Sequence, residues 1–469
     1  MIRAGLCIAV AALLAACTPT LPRAPAAIAA IDVPGGAQPP ADGGVAPRWW
    51  RQFHNDDLER WLAVALADNP GLAQARSRVE AAQAALGGAD ASRYPHADAD
   101  ARITRLGNSE NGDRAIYNGE TYTLGVIEPL NVSYHLDLWG QDRALIEAAA
   151  ADAQVARAQL QQSELLLTAA LIKTYFAWQT ALQLTAAQQR AVDLCGAALD
   201  IQAAALAAGL APQAELVARE TQLAAARTRL AQLAQRQSSL RYALLALLGQ
   251  GPDFSLPPAP DQTAPETFAV PAAIDLNTLA ARPDIQIALW QARAAQHREE
   301  QARAAYYPNI NLRAVVGLTS IGLGDLLRSD SRGYAAGPAL NLPLFEGGAL
   351  DAKLRARAAA HRGAVYFYNQ TVLNAAAQVA ADLANLDHSH EQFAQRAQTR
   401  AQAQRLAAIA DSAYRSGVGD RQQAVQAQLR QLQAEMDYLA GRLGWLDAIT
   451  DTATDLGGGI QNDERETQI

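Results

Sequence analysis

Cysteine is nearly missing from this chain of 469 residues, with only Cys7, Cys17 and Cys195 present. Two of them fall in the first 20 positions. The body therefore keeps a lone thiol, which builds neither a disulfide framework nor a Cys-rich metal site. The seven histidines are scattered, and the closest pair, His388 and His390, has a spacing that does not share a helix face. No surplus of positive charge exists either. Lys and Arg number 39 against 47 Asp and Glu, a net charge of −8, which removes the electrostatic footprint of a nucleic-acid binder. The sequence has no Gly-rich phosphate loop, no Gly-x-Ser-x-Gly elbow and no histidine–carboxylate cluster at metal spacing. An enzyme is not expected, and neither is a metal or a cofactor. Aromatics are also sparse at 6% and charges at 18%, although half the chain is hydrophobic. The apolar content is therefore mostly alanine, the best helix former, in long Ala/Gln/Leu/Arg tracts. Long helices packed through small side chains are the first expectation.

Long hydrophobic runs are missing as well. The most apolar internal stretch, Leu165 to Trp178, is short and interrupted by Lys173. At the N-terminus, Arg3 precedes an apolar run from Ala4 to Ala16, the length of a signal h-region and too short to span a bilayer. The run ends Leu14-Ala15-Ala16-Cys17, which resembles the bacterial lipobox. Residues 1–16 then form a signal peptide, and Cys17 becomes the first mature residue and carries acyl chains. Covalent lipid is the one non-protein group expected. Thr18 rather than Asp follows Cys17, which by resemblance to the usual sorting rule directs the product to the outer membrane. Residues 17–56, rich in Pro, Ala and Gly as far as Pro47, read as an extended lipid-anchored tail.

The rest of the chain is a tandem repeat. Asn69-Pro70-Gly71-Leu72 corresponds to Arg282-Pro283-Asp284-Ile285, each opening a helix with proline in its first turn. Both helices stop at a second proline, Pro95 and Pro308, so a register of 213 residues holds across the segment. Leu138-Trp139-Gly140 matches Leu344-Phe345 before Gly347, and Ala208-Gly209-Leu210 matches Ser416-Gly417-Val418. The unit is helix, two strands, two long helices. The first repeat covers 57–250, a Pro-rich linker 251–273, and the second repeat 274–450; residues 451–469 read as a disordered tail.

The strands come directly after the second prolines, at about 96–106 and 121–137, and again at about 309–320 and 333–345. In the third of these, Ile310, Leu312, Ala314, Val316 and Leu318 share one face, while Asn309, Asn311 and Arg313 line the other. One apolar and one polar face suit a barrel wall between lipid and a wet lumen. Helices are expected over 139–207, 213–248, 349–415 and 421–449, the longest about 100 Å at 1.5 Å per residue. Leucine stripes run along the return helices, through Leu216, Leu223, Leu230, Leu233 and Leu240, and through Val425, Leu429, Leu432, Met436 and Leu439. They read as coiled-coil packing. Four strands cannot close a membrane barrel, and open edges in lipid leave backbone groups unsatisfied. Several chains must pool their strands.

These motifs together resemble a known family, the trimeric outer-membrane efflux factors of the TolC/OprM type, nearest the NodT-type lipoprotein branch. The residues that carry the resemblance are Arg282-Pro283-Asp284-Ile285, Ala305-Tyr306-Tyr307-Pro308-Asn309-Ile310, Tyr134 to Gly140, Leu342 to Gly348, and Tyr414 to Val418. With the lipobox, the matches span roughly 17–450. The resemblance implies a mainly α fold with a small membrane β-barrel part: a homotrimer with a twelve-stranded barrel on a twelve-helix tube. It also implies a duct of a tripartite efflux pump, with a periplasmic adaptor and an inner-membrane transporter of the RND type as partners. The breaks Gly209-Leu210-Ala211 and Gly417-Val418-Gly419 then become periplasmic tips that touch the adaptor. Gate residues carried over are Glu215 with Arg219 on the first repeat and Gln423 with Gln426 on the second, joined by Asp420 and Arg421. Glutamines where the family often has acids weaken any carboxylate ring, so hydrogen bonds and Asp420/Glu215–Arg pairs are expected to hold the constriction. Two other functions fit parts of the sequence: an exit duct for polypeptide secretion, and a lipid-anchored coiled-coil spacer of the envelope. The spacer has no use for the alternating strands.

Overall fold

The computed structural model describes residues 25–27, 32–34, 48–111, 118–256, 265, 267–268 and 273–458. The expected signal peptide 1–16, the expected lipidation site Cys17, most of the tail and linker, and residues 459–469 lie outside the described residues. Helices α1 (Asp56–Asp68), α2 (Pro70–Asp90), α3 (Gln141–Ala207) and α4 (Gln213–Leu247) belong to the first half of the chain. The second half holds the short α5 (Leu276–Leu279), then α6 (Pro283–Ala304), α7 (Ala349–Arg415) and α8 (Arg421–Asp455). The strands are β1 (Asp32–Pro34), β2 (His96–Gly107), β3 (Thr121–Leu136), β4 (Ala273–Asp275), β5 (Asn309–Ile321) and β6 (Arg332–Asn341). The chain divides into two compact units.

The first unit, centred on residues 78–156 and 287–368, holds an antiparallel sheet in the order β2-β3-β5-β6. Each repeat supplies one hairpin, and β3 pairs with β5 to join them. Register puts Leu312 beside Tyr134 and Pro338, and Val316 beside Leu130 and Tyr334, so one face is apolar across three strands. The opposite face carries Ser133 between His96 and Arg313, and Asn131 beside Asp98. The apolar face is open: Leu312, Val316, Leu130, Leu340 and Tyr334 are all exposed. Strands β2 and β6 are edges with no further partner among the described residues. β6 ends at Asn341, short of the expected 345, because Pro343 brings no N–H to a ladder.

The second unit falls within residues 28–77, 157–286 and 369–469; its described residues are mostly helical and include the short β1–β4 pair. The apolar stretch of α3 is long and apolar enough by composition to cross a membrane, but half of it is buried inside the protein. Leu171, Ile172, Tyr175, Phe176 and Trp178 are buried there, with Trp61 edge-on to Tyr175 and Phe53 edge-on to Phe176. Lys173, the interruption in the sequence pattern, pairs with Asp451.

Two further boundaries depart from the sequence reading. The tail does not stay extended to residue 56: Trp49–Phe53 forms a 3-10 turn with Trp49 and Phe53 buried, and β1 pairs with β4. Aromatic burial against α3 overrides the loose local pattern. The last helix runs to Asp455, not 449, and turns continue to Gly458, so residues 451–458 are ordered rather than part of a disordered tail. Arg282 explains that extension. Its guanidinium grips Asp284 through Nε at 3.0 Å and Nη2 at 2.8 Å, and donates to the Asp455 carbonyl at 2.6 Å, tying the start of α6 to the end of α8.

Candidate gate at the helical tips

The two tips are built alike. At the end of α3, the Gly209 N–H donates to the Leu206 carbonyl at 2.9 Å and the Leu210 N–H to Ala205 at 2.8 Å. At the end of α7, Gly417 donates to Tyr414 and Val418 to Ala413, both at 3.0 Å. This is the Schellman ending, in which glycine takes a left-handed backbone to recover the last free carbonyls. Gly209 sits at φ 71° and Gly417 at φ 75°. Gly419 is constrained differently: a Cβ there would meet Ala413 and Tyr414 atoms at 3.0 Å. Ala211 holds the corresponding place in the first tip. The apex residues Leu210 and Val418 are 83% and 86% exposed, so each tip presents an uncovered apolar side chain.

The expected gate residues are placed around these turns. Glu215 is exposed in the first turn of α4 and accepts from Gln202 Nε2 of α3 at 2.9 Å. Arg219, one turn on, donates instead to Gln222 at 3.0 Å. Asp420 caps α8 by accepting from the Gln422 N–H at 3.1 Å. Arg421 and Gln423 are exposed, and the Gln426 amide nitrogen is buried without a hydrogen-bond partner. The expected Asp420/Glu215–Arg pairs are not formed within the chain: among the described residues neither acid is in an ion pair, and each carboxylate accepts a hydrogen bond instead. Gln202, which holds Glu215, was not singled out from the sequence; only the antiparallel return of α4 brings it near.

The helices above the tips are unequally covered. On α8, Val425, Leu432, Leu439 and Leu446 are buried, whereas Leu230, Leu233 and Leu240 of α4 stay half-buried. Where α3 and α4 meet, Cys195, Leu223 and Ala226 form a small core with Leu429 of α8 against it.

Known proteins share this architecture. The family model described as outer membrane efflux protein matches residues 61–250 and 277–458, one segment for each repeat. This chain belongs to the outer membrane efflux protein family. The multidrug resistance outer membrane protein MdtP of Escherichia coli strain K12 is 30% identical over 433 residues, covering 90% of this chain and 88% of that protein. The Campylobacter jejuni CmeC outer membrane channel superposes with a TM-score of 0.84 at 21% identity, covering 95% of this chain and 96% of that one. The open-state MtrE channel of Neisseria gonorrhoeae gives 0.79 at 22% identity, covering 95% and 98%. The duplicated hairpins and paired helices of this efflux protein are thus set in a fold that those channels share.

Among the described residues, folding brings histidine and carboxylates together twice at spacings that could hold a metal ion: His135 with Asp137 and Asp142, and His297 with Glu147 and Glu300.

Proposed function

We propose that this outer-membrane protein is the exit duct of a tripartite efflux pump, conducting small toxic molecules from periplasm to exterior without chemistry of its own. The observation that carries the reading is the sheet. Its four strands have one apolar face, one polar face and two open edges, in a chain of the outer membrane efflux protein family. In hydrocarbon those edges must be paired, and only closure satisfies them. Three chains would supply twelve strands and leave a lumen, whereas eight would be filled by side chains. The half-buried leucines of α4 support the same assembly, since a neighbouring chain would cover them. Cys17 carries the lipid anchor in this reading.

The tips support the second part. Leu210 and Val418 offer apolar contacts to a periplasmic adaptor, and an inner-membrane transporter of the RND type supplies the energy. Glu215, Arg219, Asp420, Arg421, Gln423 and Gln426 surround the pore end. Their pairing across chains would hold it shut, which gives the unpartnered Gln426 nitrogen a role. The test is functional: the protein, expressed with its adaptor and transporter in a host lacking such channels, should lower drug accumulation. Unchanged accumulation with all three proteins assembled would contradict the duct.

A further inference from the structure

The two helices that hang from adjacent strands β3 and β5 are fastened to each other by an unusual group. Glu147 lies in the second turn of α3, the helix that follows β3. His297 and Glu300 lie on α6, which leads into β5, and their spacing of three puts both on one helix face. The His297 Nδ1 atom faces Glu300 Oε2 at 2.9 Å and Glu147 Oε2 at 3.2 Å. One ring nitrogen therefore meets two carboxylate oxygens. Each carboxylate is also held from behind: Glu147 Oε1 accepts from Arg143 Nε at 2.8 Å, and Glu300 Oε1 accepts from Gln296 Nε2 at 3.0 Å. The outer oxygens are pinned, and the inner ones converge on the imidazole.

A neutral imidazole can give at most one proton at Nδ1, which leaves two carboxylates competing for it. A divalent cation among the three atoms satisfies all of them at once. Ligand bonds of about 2.0–2.2 Å from nitrogen and carboxylate oxygen put tetrahedral ligands about 3.3 Å apart, close to the spacings here. One imidazole and two carboxylates suit a borderline ion such as zinc, with water completing the shell. Arg143 and Gln296 then act as the outer partners that orient metal ligands.

The internal repeat provides a control. The first-repeat positions matching His297 and Glu300, 213 residues earlier, are Ala84 and Gly87, and the second-repeat match of Glu147 is Arg355. The trio is thus no part of the repeat: neither a histidine nor a carboxylate stands at the matching positions.

We propose that His297, Glu147 and Glu300 form a divalent transition-metal site that clamps α3 to α6 below the joined strands. The experiment uses full-length protein in detergent, stripped with chelator, then titrated with Zn²⁺ by calorimetry and with Co²⁺ by visible absorption. The expected result is one ion per chain, with affinity falling at least about tenfold in Glu300→Gln and in His297→Gln. Asp142→Asn, in the other cluster, should leave it unchanged. Zn²⁺ should also raise the melting temperature of the parent protein and not of Glu300→Gln, and circular dichroism reports whether each variant is folded. Glu147→Gln stands in if the histidine variant fails to fold. Absence of stoichiometric binding, binding unchanged by these variants, or binding lost with Asp142→Asn would overturn the assignment. In the first case the trio is an ion pair only.

Discussion

Trp139 stacks on Tyr307, with ring centroids 4.8 Å apart and planes 17° from parallel, and its indole N–H donates to the Pro308 carbonyl at 2.9 Å. The first residue ends the first hairpin; the second introduces the other. Their repeat-related counterparts, Phe345 and Tyr94, are left open within the chain at 90% and 66% exposed. In a closed ring of chains, β6 of one protomer meets β2 of the next, and Phe345 should seat on Tyr94-Pro95 as Trp139 does on Tyr307-Pro308. Paired substitutions Tyr94→Cys and Phe345→Cys, in a Cys195→Ser background, should give a disulfide-linked trimer on denaturing gels. A monomer after oxidation would contradict the ring.

The tips should tolerate no charge at their apex. Leu210→Asp and Val418→Asp are expected to abolish drug export while changing stability by no more than about 0.5 kcal/mol, as for other surface changes. Gly417→Ala costs about 1 kcal/mol, because alanine resists the left-handed backbone there. Export measured alongside thermal melting separates the two effects.

Stability should depend on pH through buried carboxyls in the helical unit. Burial pushes Asp382 up to about 7, aided by its hydrogen bond with Asp455 and the charges of Asp455 and Asp451, against a hydrogen bond from Gln378. Burial likewise raises Asp447 to about 6, opposed by Lys173. The folded state thus holds protons that the unfolded chain has released, so stability falls as pH rises from about 4 to about 7. Asp382→Asn should raise the melting temperature at pH 7.5 and leave it nearly unchanged at pH 4. An equal shift at both values would contradict the assignment.

The Cys195 thiol is buried, and burial raises its pKa. It should react with a thiol reagent only after denaturation. Rapid labelling of the native protein would show that the α3–α4 core is open.

The periodic parts of this fold were legible in the sequence. Prolines at 213-residue spacing and alternating residues from Asn309 located the helices and strands, because regular backbone imposes regular burial. The end of α8 was within reach: Gly249 and Gly457 close α4 and α8 with the same Schellman bonds, at the 208-residue offset of the tip glycines. The anchoring of Trp49 and Phe53 was not legible, since their partners Phe176 and Phe268 stand more than a hundred residues away. The same holds for Glu147 beside His297, whereas the i, i+3 pair His297 and Glu300 was visible but lacked its third member. At the tips, the glycine breaks could be read from the sequence and the candidate gate residues came from the family resemblance, but the hydrogen-bond partners could not be read. Gln202 meets Glu215 only through the hairpin.

Whether three chains close one duct is tested most directly by electron microscopy of the full-length protein, extracted from outer membranes in detergent. The predicted result is a threefold particle with a barrel at one end and a helical part about 100 Å long, from 67-residue helices at 1.5 Å per residue. A thin rod or bundle with no barrel would contradict it.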